Sequence, residues 1–414
     1  MNKSVNLRSI EMIRNSRFNE EDWPTKSSEE QIKVEEDVLR KYEDLHRKLK
    51  MSIHLPELLK EQHKKYLCET LFYLPSVYEC LDSSRPWLCY WILHPLSLLG
   101  VRIDDRRKSS IAKFINKCQS PDGGFAGGPG QYPHLASTYA AILALAILGT
   151  EESLNIINRQ KLKEFMRSMK QPDGSFAMHI GGEIDIRGAY CAATVASITG
   201  ILTPELFEGT AEWIVSCQTY EGGFAGAPGM EAHGGYSFCG MSALVILQKG
   251  HLIDEQAFLS HKSSLQRWIV QRQMKLEGGF QGRTNKLVDG CYSFWQGGTF
   301  PLIYSLLDKA GNSPNDHLFD ERALQEYLLI CCQNPTGGLI DKPGKHKDVF
   351  HTCYTLSGLS VAQRFLNKKR VLGSYRNELI ETHPLYNVRP DLARKALLHF
   401  NNLGVPTQNL NEGT

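Results

Sequence analysis

Six tyrosines recur in this chain in a similar local setting, 46 to 62 residues apart. They are Tyr90, Tyr139, Tyr190, Tyr236, Tyr292 and Tyr354. Five of them follow a glycine-containing turn, and these turns read Gly123-Gly124-Phe125, Gly174-Ser175-Phe176, Gly222-Gly223-Phe224, Gly278-Gly279-Phe280 and Gly337-Gly338-Leu339. A repeat of this length is typical of proteins in which each helical unit covers the apolar face of its neighbour. We therefore expect an all-α fold of six helical pairs in one body, although 414 residues would by length alone suggest two or three domains.

Each predicted unit consists of an outer helix, a glycine-rich turn and an inner helix. The outer helices end in recurring glutamines, which are Gln119, Gln171, Gln218, Gln273 and Gln333. Pro86 falls in the first turn of the first inner helix, where proline is tolerated. The pattern predicts a charged helical extension over residues 1–66, the repeat body over 67–404 with a last helix from Asp391 to Leu403, and a loose tail over 405–414.

The composition excludes several classes of protein. A net charge of +2 argues against a general nucleic-acid binder, so a cationic site would have to be a local cluster. The longest apolar segment, Tyr139 to Gly149, is too short to cross a bilayer and predicts a buried helix, and we see no cationic and apolar leader at the start. Eleven cysteines without a disulfide-like spacing indicate reduced thiols and a cytoplasmic protein.

The position three residues before each recurring tyrosine varies in chemistry while its setting stays constant. It is occupied by Trp87, Ala136, Arg187, His233, Asp289 and His351. If the inner helices all point the same way, their N-termini meet at one end and favour an anion through free N–H groups and the helix dipole. Arg187, His233, Arg283 and Lys286 would add positive charge there, and Tyr292 a hydroxyl donor, a set that suits a diphosphate.

The arginines also have a competing interpretation that involves no ligand. Arg187 and Arg283 would then form surface ion pairs with Glu183, Asp185 or Glu277, and such pairs are common and weak. A nucleotide-type phosphate loop is not indicated, because the chain has no Gly-x-x-x-x-Gly-Lys sequence.

A second cluster combines Asp289 and Cys291 with His351, at equivalent positions of adjacent units. Carboxylate, thiolate and imidazole all bind zinc, and three protein ligands with an open fourth position are typical of a catalytic site. Asp289 and Cys291 can point to one place only at a loop-to-helix junction, which Gly290 permits. On spacing alone, Cys353 is an alternative fourth ligand that would make the site structural. Asp289 as a helix N-cap and both cysteines as buried apolar residues are the competing interpretations.

Large aromatic residues cluster on the same inner layer. They are Trp87, Tyr90, Trp91, Trp295, Phe350 and Tyr354. Aromatic residues at helical spacing are usually core. In a closed ring of inner helices, however, they would line an apolar pocket for a long hydrocarbon. A cationic mouth above such a pocket describes a lipid diphosphate.

Three segments closely resemble the β subunits of protein farnesyltransferases: Leu287 to Gln296, Met230 to Gly240 and Asp341 to Ser360. The resemblance extends from Tyr73 to Asn387. It implies an α/α toroid, a six-unit barrel of helical hairpins. It also implies transfer of a farnesyl group from farnesyl diphosphate to the cysteine of a C-terminal Cys-a-a-X sequence, zinc and magnesium as cofactors, and an obligate α subunit.

The resemblance also implies roles for individual residues. Zinc is held by Asp289, Cys291 and His351, and Cys353 is not a ligand; Asp341 binds magnesium, with Asp348 as a nearby second carboxylate. His233, Arg283, Lys286 and Tyr292 bind the diphosphate, with Arg187 beside the isoprenoid. The remaining predicted substrate-binding residues are Trp87, Trp91, Tyr190, Tyr236, Trp295, Phe350 and Tyr354.

In this mechanism the substrate thiol, with a free pKa of about 8.5, is held as a thiolate on zinc, and no side chain has to act as a general base. Cationic donors stabilise the leaving diphosphate. The resemblance places Trp87 and Tyr354 at the pocket floor, where their bulk leaves room for fifteen carbons and not for twenty. One departure from the family is Phe350, which stands where a tyrosine is usual beside the zinc histidine and affects peptide selectivity.

Three other classes compete with this interpretation. The β subunit of a type I geranylgeranyltransferase is the nearest, and Trp87 argues against it. A terpene cyclase would need an Asp-x-Asp-Asp motif, and Asp104-Asp105 lacks that spacing. A non-catalytic helical scaffold would not need Arg, His, Asp and Cys at one repeated position.

Overall fold

A computed structural model describes residues 7–19, 23–51, 56–252, 264–309, 318–365 and 368–406. In these segments an outer and an inner helix alternate six times, as the repeat predicts. The outer helices are Lys60–Phe72, Asp105–Lys117, Arg159–Met169, Thr210–Ser216, Ser264–Val270 and Glu321–Cys331. The inner helices are Arg85–Leu98, Leu135–Leu148, Ile186–Thr199, Gly234–Ile246, the interrupted pair Tyr292–Trp295 and Thr299–Lys309, and Val349–Ala362. We number these outer–inner pairs unit 1 to unit 6 in chain order.

The remaining elements flank or connect the units. They are the helices Ile10–Asn15, Lys26–Met51, Glu151–Asn155 and Pro390–Asn401, the 3₁₀ helices Ser76–Ser84, Glu205–Phe207, Gly250–Leu252 and Tyr375–Asn377, and the antiparallel strands Arg364–Phe365 and Lys368–Lys369. The predicted last helix is therefore present as Pro390–Asn401. The predicted tail lies largely outside the described residues. In the part of the chain that the structure describes, no helix combines the length and apolarity needed to cross a membrane.

The helix sequences explain the two layers. The inner helix Leu135–Leu148 is apolar around its whole circumference, and nearly every residue in it is buried. It ends where Gly149 adopts a left-handed conformation. The outer helix Asp105–Lys117 is amphipathic, with Ala112 and Ile115 buried and charged residues facing solvent. Pro86 lies in the first turn of its helix, as predicted.

Three of the recurring glutamines, Gln119, Gln273 and Gln333, connect their unit to the next. The side-chain oxygen of Gln119 accepts from the backbone N–H of Asn158, the N-cap of the next outer helix, at 2.8 Å, and its amide donates to the Ile156 carbonyl at 2.9 Å. Gln273 and Gln333 bind the starts of their neighbouring outer helices in the same way. In unit 3, Gln171 follows the outer helix Arg159–Met169 as predicted, but Lys170 occupies the place equivalent to Gln119 and reaches the next unit with its ammonium group.

The glycine turns close the outer layer. A Cβ at Gly123 would lie 1.9 Å from the carbonyl oxygen of Lys161, at the start of the next outer helix. The same contact recurs around the molecule and ends with Gly337, whose Cβ would lie 2.1 Å from the carbonyl oxygen of Gln62. Gln62 belongs to unit 1, so unit 6 packs on unit 1. The inner helix Val349–Ala362 likewise packs on Arg85–Leu98, and the predicted toroid is confirmed.

All inner helices begin at the same end of the barrel. At or just before its start, each inner helix of units 1 to 5 donates a backbone N–H to a carbonyl of the next unit: Arg85 to Gly127, Leu135 to Met178, Ile186 to Gly226, Gly234 to Gly282 and Gly290 to Asp341, at 2.7–2.8 Å. We call this end of the barrel the mouth. The inner helices are therefore parallel, as the convergence of their facing positions requires.

The opposite end is covered by the connector, residues 373–390. The hydroxyl groups of Tyr90 and Tyr190 donate to the backbone carbonyls of Asn387 and Leu385 at 2.8 and 2.9 Å. The backbone N–H of Ile380 donates to the carbonyl of Leu98, the last residue of the inner helix of unit 1. Two of the recurring tyrosines therefore attach the connector to the inner ring, and the mouth remains the accessible end.

Candidate active site

Three metal-binding side chains meet at the mouth between units 5 and 6. Single ligand atoms of Asp289, Cys291 and His351 all lie within 4.8 Å of one another, and Cys291 is buried. Asp289 and Cys291 stand at the loop-to-helix junction before Tyr292–Trp295, and His351 lies in the first turn of Val349–Ala362. The predicted convergence of these three residues is thus present.

Gly290 allows the two units to approach this closely. Its N–H donates to the carbonyl of Asp341 at 2.8 Å, and a Cβ at this position would meet Thr355 Oγ1 at 2.9 Å and the Ile340 carbonyl oxygen at 3.0 Å. A larger residue would separate Asp289 and Cys291 from unit 6. Asp289 is not the helix N-cap, which is Cys291, but its Oδ1 accepts from the backbone N–H of Cys291 at 2.7 Å.

His351 is oriented by a second carboxylate. Its Nδ1 lies 2.6 Å from Oδ2 of Asp348, the N-cap of the same helix, and its Nε2 lies 3.5 Å from Oδ1 of Asp289. Such an arrangement leaves Nε2 facing the group of three ligands and is typical of metal-binding histidines. Asp348 therefore holds the ring, as expected for a carboxylate close to the site.

The electrostatics of this group favour a cation. Burial raises the pKa of the Cys291 thiol well above its usual range, and the Asp289 carboxylate raises it further. Burial alone would lower the pKa of His351, but hydrogen bonds to Asp289 and Asp348 outweigh it and raise that pKa to about 10. A divalent cation that prefers N, O and S ligands fits these donors, and its binding would displace the protons of the thiol and of the imidazole Nε2.

Cys353 does not join the group of three. It is fully buried on the helix Val349–Ala362, where burial raises the pKa of its thiol. The alternative of a fourth protein ligand from this cysteine is therefore not supported among the described residues.

The neighbouring inner helices bring a histidine and a tyrosine together. Nε2 of His233 lies 2.9 Å from the hydroxyl of Tyr292. Nδ1 of His233 accepts from the backbone N–H of Gly235 at 3.0 Å, so in the neutral ring the proton is on Nε2 and the Tyr292 oxygen is the acceptor. Burial, with the charges of Arg283 and Arg187, lowers the pKa of His233 to about 4 and keeps the ring neutral. The hydroxyl proton of Tyr292 is then available to a ligand.

The arginines at the mouth already have acidic partners. Arg187 pairs with Asp185 at 2.6 Å and reaches Glu183 at 4.0 Å, and Arg283 pairs with Glu231 at 3.0 Å. The interpretation as surface ion pairs is thus partly correct, although Glu277 is not a partner of either arginine. Lys286 is exposed on the same hairpin as Arg283, between the paired residues Gln281 and Val288.

Several of the expected N–H groups at the N-termini of the inner helices are already used. They donate to carbonyls of the next unit or to side chains at the N-cap positions, for example Asp185 for Arg187 and Asp348 for His351. Side chains therefore supply much of the positive charge that we expect at the mouth.

Asp341 lies beside the metal-binding group. Its backbone carbonyl accepts from Gly290, and its carboxylate forms an ion pair with Lys342, which is nearly buried. Burial and the negative charge of Asp289 raise the pKa of Asp341. Lys342 is a residue that sequence analysis missed, and it partly neutralises the predicted magnesium ligand.

Aromatic rings form a closed belt on the inner face of the barrel. Successive ring centroids lie 4.4–5.5 Å apart around the circuit Trp87, Tyr139, Tyr190, Phe238, Trp295, Tyr354, Phe350, Trp91 and back to Trp87. Trp87, Trp91, Trp295 and Phe350 are only partly buried, so these rings offer apolar surface. Tyr236 lies outside the belt, against His233 at 4.9 Å. Tyr139 and Phe238 were not predicted as site residues.

A second group of metal-type residues lies at the mouth. Ligand atoms of His134, His179 and Glu183 also fall within 4.8 Å of one another. Nδ1 of His134, however, accepts from the backbone N–H of Ala136 at 3.1 Å, which places the ring proton on Nε2. That nitrogen cannot then bind a metal while the cap is intact, so this group fits a cation poorly.

A ring of six helical hairpins with a metal-type group and an aromatic belt at one end defines a class of protein. Residues 58–388 match the family described as Prenyltransferase alpha-alpha toroid domain. A solved structure of Candida albicans protein geranylgeranyltransferase-I complexed with GGPP has a similar fold, with a TM-score of 0.67 and 23% identity over 83% of this chain and 99% of that chain.

Curated relatives narrow the class. The protein farnesyltransferase subunit beta of Pisum sativum is 45% identical over 383 residues, covering 77% of this chain and 90% of the relative. The geranylgeranyl transferase type-1 subunit beta of Arabidopsis thaliana is 33% identical over 335 residues, covering 73% and 85%. The chain belongs to the family of protein farnesyltransferase β subunits, and the resemblance seen in the sequence is confirmed.

Proposed function

We propose that this chain is the catalytic β subunit of a protein farnesyltransferase that moves farnesyl from farnesyl diphosphate to the cysteine of a C-terminal Cys-a-a-X sequence. The observation that carries the proposal is the convergence of Asp289, Cys291 and His351 ligand atoms within 4.8 Å. Their position at the mouth, in the same barrel as His233, Tyr292 and the aromatic belt, supports a nucleophile site next to a lipid diphosphate site.

Asp289, Cys291 and His351 would hold zinc, with Asp348 orienting His351. A bound zinc would keep the substrate thiol as a thiolate at neutral pH and so supply the nucleophile. The sulfur forms its bond to C1 of the farnesyl chain as the bond from C1 to the diphosphate oxygen breaks, and the leaving diphosphate takes the electron pair. The thiol proton would pass to solvent before this step, so no side chain is assigned as a general base.

The leaving diphosphate would be bound by His233, Arg283, Lys286 and Tyr292, with Arg187 beside the isoprenoid. Tyr292 would donate its hydroxyl proton to the diphosphate, because its oxygen already accepts a hydrogen bond from Nε2 of His233. Arg283 would exchange its carboxylate partner Glu231 for the more highly charged diphosphate. The remaining substrate-binding residues are the belt members and Tyr236.

Asp341 would bind magnesium with the diphosphate. The ion pair with Lys342 has to open for this, and Lys342 could itself remain near the departing oxygen atoms. Phe350 lies between Trp91 and Tyr354 in the belt and offers the peptide an apolar ring without a hydroxyl.

The proposal includes an α subunit as heterodimer partner, Cys-a-a-X proteins as substrates and a cytoplasmic location. We also propose that the repeat body is the catalytic domain. The outer helix Lys60–Phe72 lies on both sides of the predicted limit at residue 67, and the family match starts at residue 58, so both favour an earlier limit. The alternative function is that of a geranylgeranyltransferase type I β subunit, for which the 33% identical relative is the specific observation.

The test uses the chain co-expressed with an α subunit. We expect about one zinc per heterodimer and transfer of labelled farnesyl to a Cys-a-a-X peptide. Cys291→Ala should lose the zinc and the transfer while farnesyl diphosphate still binds. Cys353→Ala, a change of the same kind one unit away, should retain the zinc. Zinc retained in Cys291→Ala, or preferred transfer of geranylgeranyl by the wild-type protein, would contradict the assignment.

A further inference from the structure

The glycine turn of unit 5 differs from its sister turns in length. An isolated antiparallel β-bridge closes each turn. It joins residues six positions apart in units 2 and 4, Gln119 to Phe125 and Gln218 to Phe224, but seven positions apart in unit 5, Gln273 to Phe280. The sister turns of units 2, 3 and 6 are held by their own short side chains, in which Ser120, Asp173 and Asn334 accept a backbone N–H two residues on, at 3.0–3.2 Å. The longer turn of unit 5, residues 274–279, instead receives donors from the distant N-terminal arm, residues 7–51 of which the structure describes 7–19 and 23–51.

Arg8 supplies most of these donors. Its Nη1 donates to the carbonyls of Lys275 and Leu276 at 3.1 and 3.2 Å, and its Nη2 donates to the carbonyl of Glu277 at 3.2 Å. Three successive carbonyl groups of the turn therefore bind one guanidinium. The arginine side chain is only 9% exposed.

Other residues hold Arg8 in place. Its Nε and its backbone N–H both donate to the carboxylate of Glu326, on the outer helix of unit 6, at 2.7 and 2.9 Å. Its Nη2 also donates to the hydroxyl of Tyr42 at 2.8 Å, and that hydroxyl donates to the Glu277 carbonyl at 3.0 Å. Gln31 donates to the Glu277 side chain at 2.8 Å. The arm therefore binds the turn and unit 6 together.

The chain leaves this turn directly into the hairpin of the candidate active site. The backbone N–H of Gln281 donates to the Arg272 carbonyl at 2.9 Å, and the backbone N–H of Asp289 donates to the Phe280 carbonyl at 3.0 Å. Arg283 and Lys286 lie in the hairpin between them, and Asp289 ends it. The position of the turn therefore fixes the position of the hairpin that carries Arg283, Lys286 and the proposed metal ligand Asp289.

We infer that Arg8 is a positioning residue for the reaction, because its guanidinium holds the 274–279 turn and through it the hairpin with Arg283, Lys286 and Asp289. The inference rests on the proposed function for the ligand, farnesyl diphosphate, and gives the N-terminal arm a role in the active site. A lysine keeps the charge but cannot replace the planar fork that binds three carbonyls, Tyr42 and Glu326 at once.

The experiment compares Arg8→Lys with Arg14→Lys in the heterodimer. Arg14 is a matched control in the same arm, because it pairs with Glu43 in solvent. Amide hydrogen exchange of residues 278–290 and the Kd for farnesyl diphosphate are measured together with the Tm. For Arg8→Lys we expect faster exchange in the hairpin and a Kd weakened about tenfold, the equivalent of one charge-assisted hydrogen bond. Arg14→Lys should change neither.

Unchanged hairpin exchange, or faster exchange with an unchanged Kd, would overturn the inference even if the Tm falls, since a merely structural role would lower stability alone. If Arg8→Lys does not fold, Tyr42→Phe removes one bond to the same turn and is judged by the same two readouts. If the wild-type protein does not bind farnesyl diphosphate, the proposed function fails, and hydrogen exchange alone then decides whether Arg8 holds the hairpin.

Discussion

At the scale of single residues, the recurring tyrosine serves different ends in different units. Tyr90 and Tyr190 donate to the connector at the closed end, and Tyr354 lies in the aromatic belt. Tyr292 lies beside His233 at the mouth. A ring with one polar atom packs in an apolar layer and still forms one directed hydrogen bond, so the same residue suits all these places. The repeat therefore keeps the packing of the tyrosine ring the same in each unit, while the chemistry varies at the position three residues before it.

Trp87 is the residue from which we predict lipid length. Its ring packs on those of Trp91 and Tyr139 at 5.2 and 5.5 Å, so Trp87→Thr opens the belt at unit 1. We expect the ratio of kcat/KM for geranylgeranyl to farnesyl diphosphate to rise by about tenfold or more, because a removed ring admits the additional carbons. A competition assay with both diphosphates measures this ratio.

The control for Trp87 is Tyr220→Thr, which removes an aromatic ring that is 95% exposed on a turn of unit 4. It should leave the ratio unchanged. An unaltered lipid preference in Trp87→Thr would show that the belt at unit 1 does not limit chain length.

At the scale of elements, the glycine turns join neighbouring hairpins through backbone contacts. In unit 4, Gly222 has a φ of +110°, and a Cβ there would lie 2.2 Å from the carbonyl oxygen of Ser264. The neighbouring outer helix cannot yield, because that oxygen belongs to its backbone. Only glycine satisfies both the left-handed conformation and this close approach.

Gly222→Ala should therefore destabilise the protein by more than the conformational cost of a left-handed alanine. Gly229→Ala is the matched control, since Gly229 has a φ of +81° and no atom within 4 Å of the added Cβ. We expect a loss of about 1 kcal/mol in the free energy of unfolding for Gly229→Ala and about 2 kcal/mol more for Gly222→Ala. Urea unfolding of both variants measures the difference, and equal losses would refute the contact.

At the scale of the whole molecule, the connector closes one end of the barrel through buried polar groups. His94, on the inner helix of unit 1, is fully buried with Nε2 at 3.1 Å from Ser357 Oγ and 3.0 Å from Asn387 Oδ1. These partners and Thr382 are neutral. The imidazole is buried far from solvent, and burial lowers its pKa from 6.5 to about 3.

Because His94 is buried in its neutral form, we expect the free energy of unfolding to fall in acid. The unfolded chain binds a proton at His94 below pH 6.5 and the folded chain only near pH 3, so stability falls as the pH drops through that window, by about 1.4 kcal/mol per pH unit at most. His94→Gln cannot take the proton, and its Tm should fall less steeply between pH 6.5 and pH 5 than that of the wild-type protein.

The exposed His346 supplies the control, because the His346→Gln variant keeps the buried imidazole. Its Tm should follow the wild-type curve. If the curve of His94→Gln also runs parallel to the wild-type curve, His94 does not become protonated on unfolding in this range.

Much of the fold and of the site was predictable because the repeat makes equivalent positions neighbours. Once six units form a ring, Asp289 and Cys291 of unit 5 must face His351 of unit 6 without any knowledge of the loops between them. The sequence did not show that Lys170, one residue before Gln171, makes the contact from unit 3 to unit 4. The sequence also did not show that carbonyls of the next unit take one N–H at the start of each inner helix of units 1 to 5.

The sequence by itself determined the all-α repeat, the inward positions and the chemical types of the site residues, because these depend on periodicity along the chain. Tertiary structure alone decided which end is open, the closed aromatic belt, the pairing of Asp341 with Lys342 and the contact of Arg8 with Glu326. Arg8 and Glu326 are 318 positions apart, and only ring closure brings such residues together. Their pairing depends on the geometry of the whole barrel, which no local pattern of residues encodes.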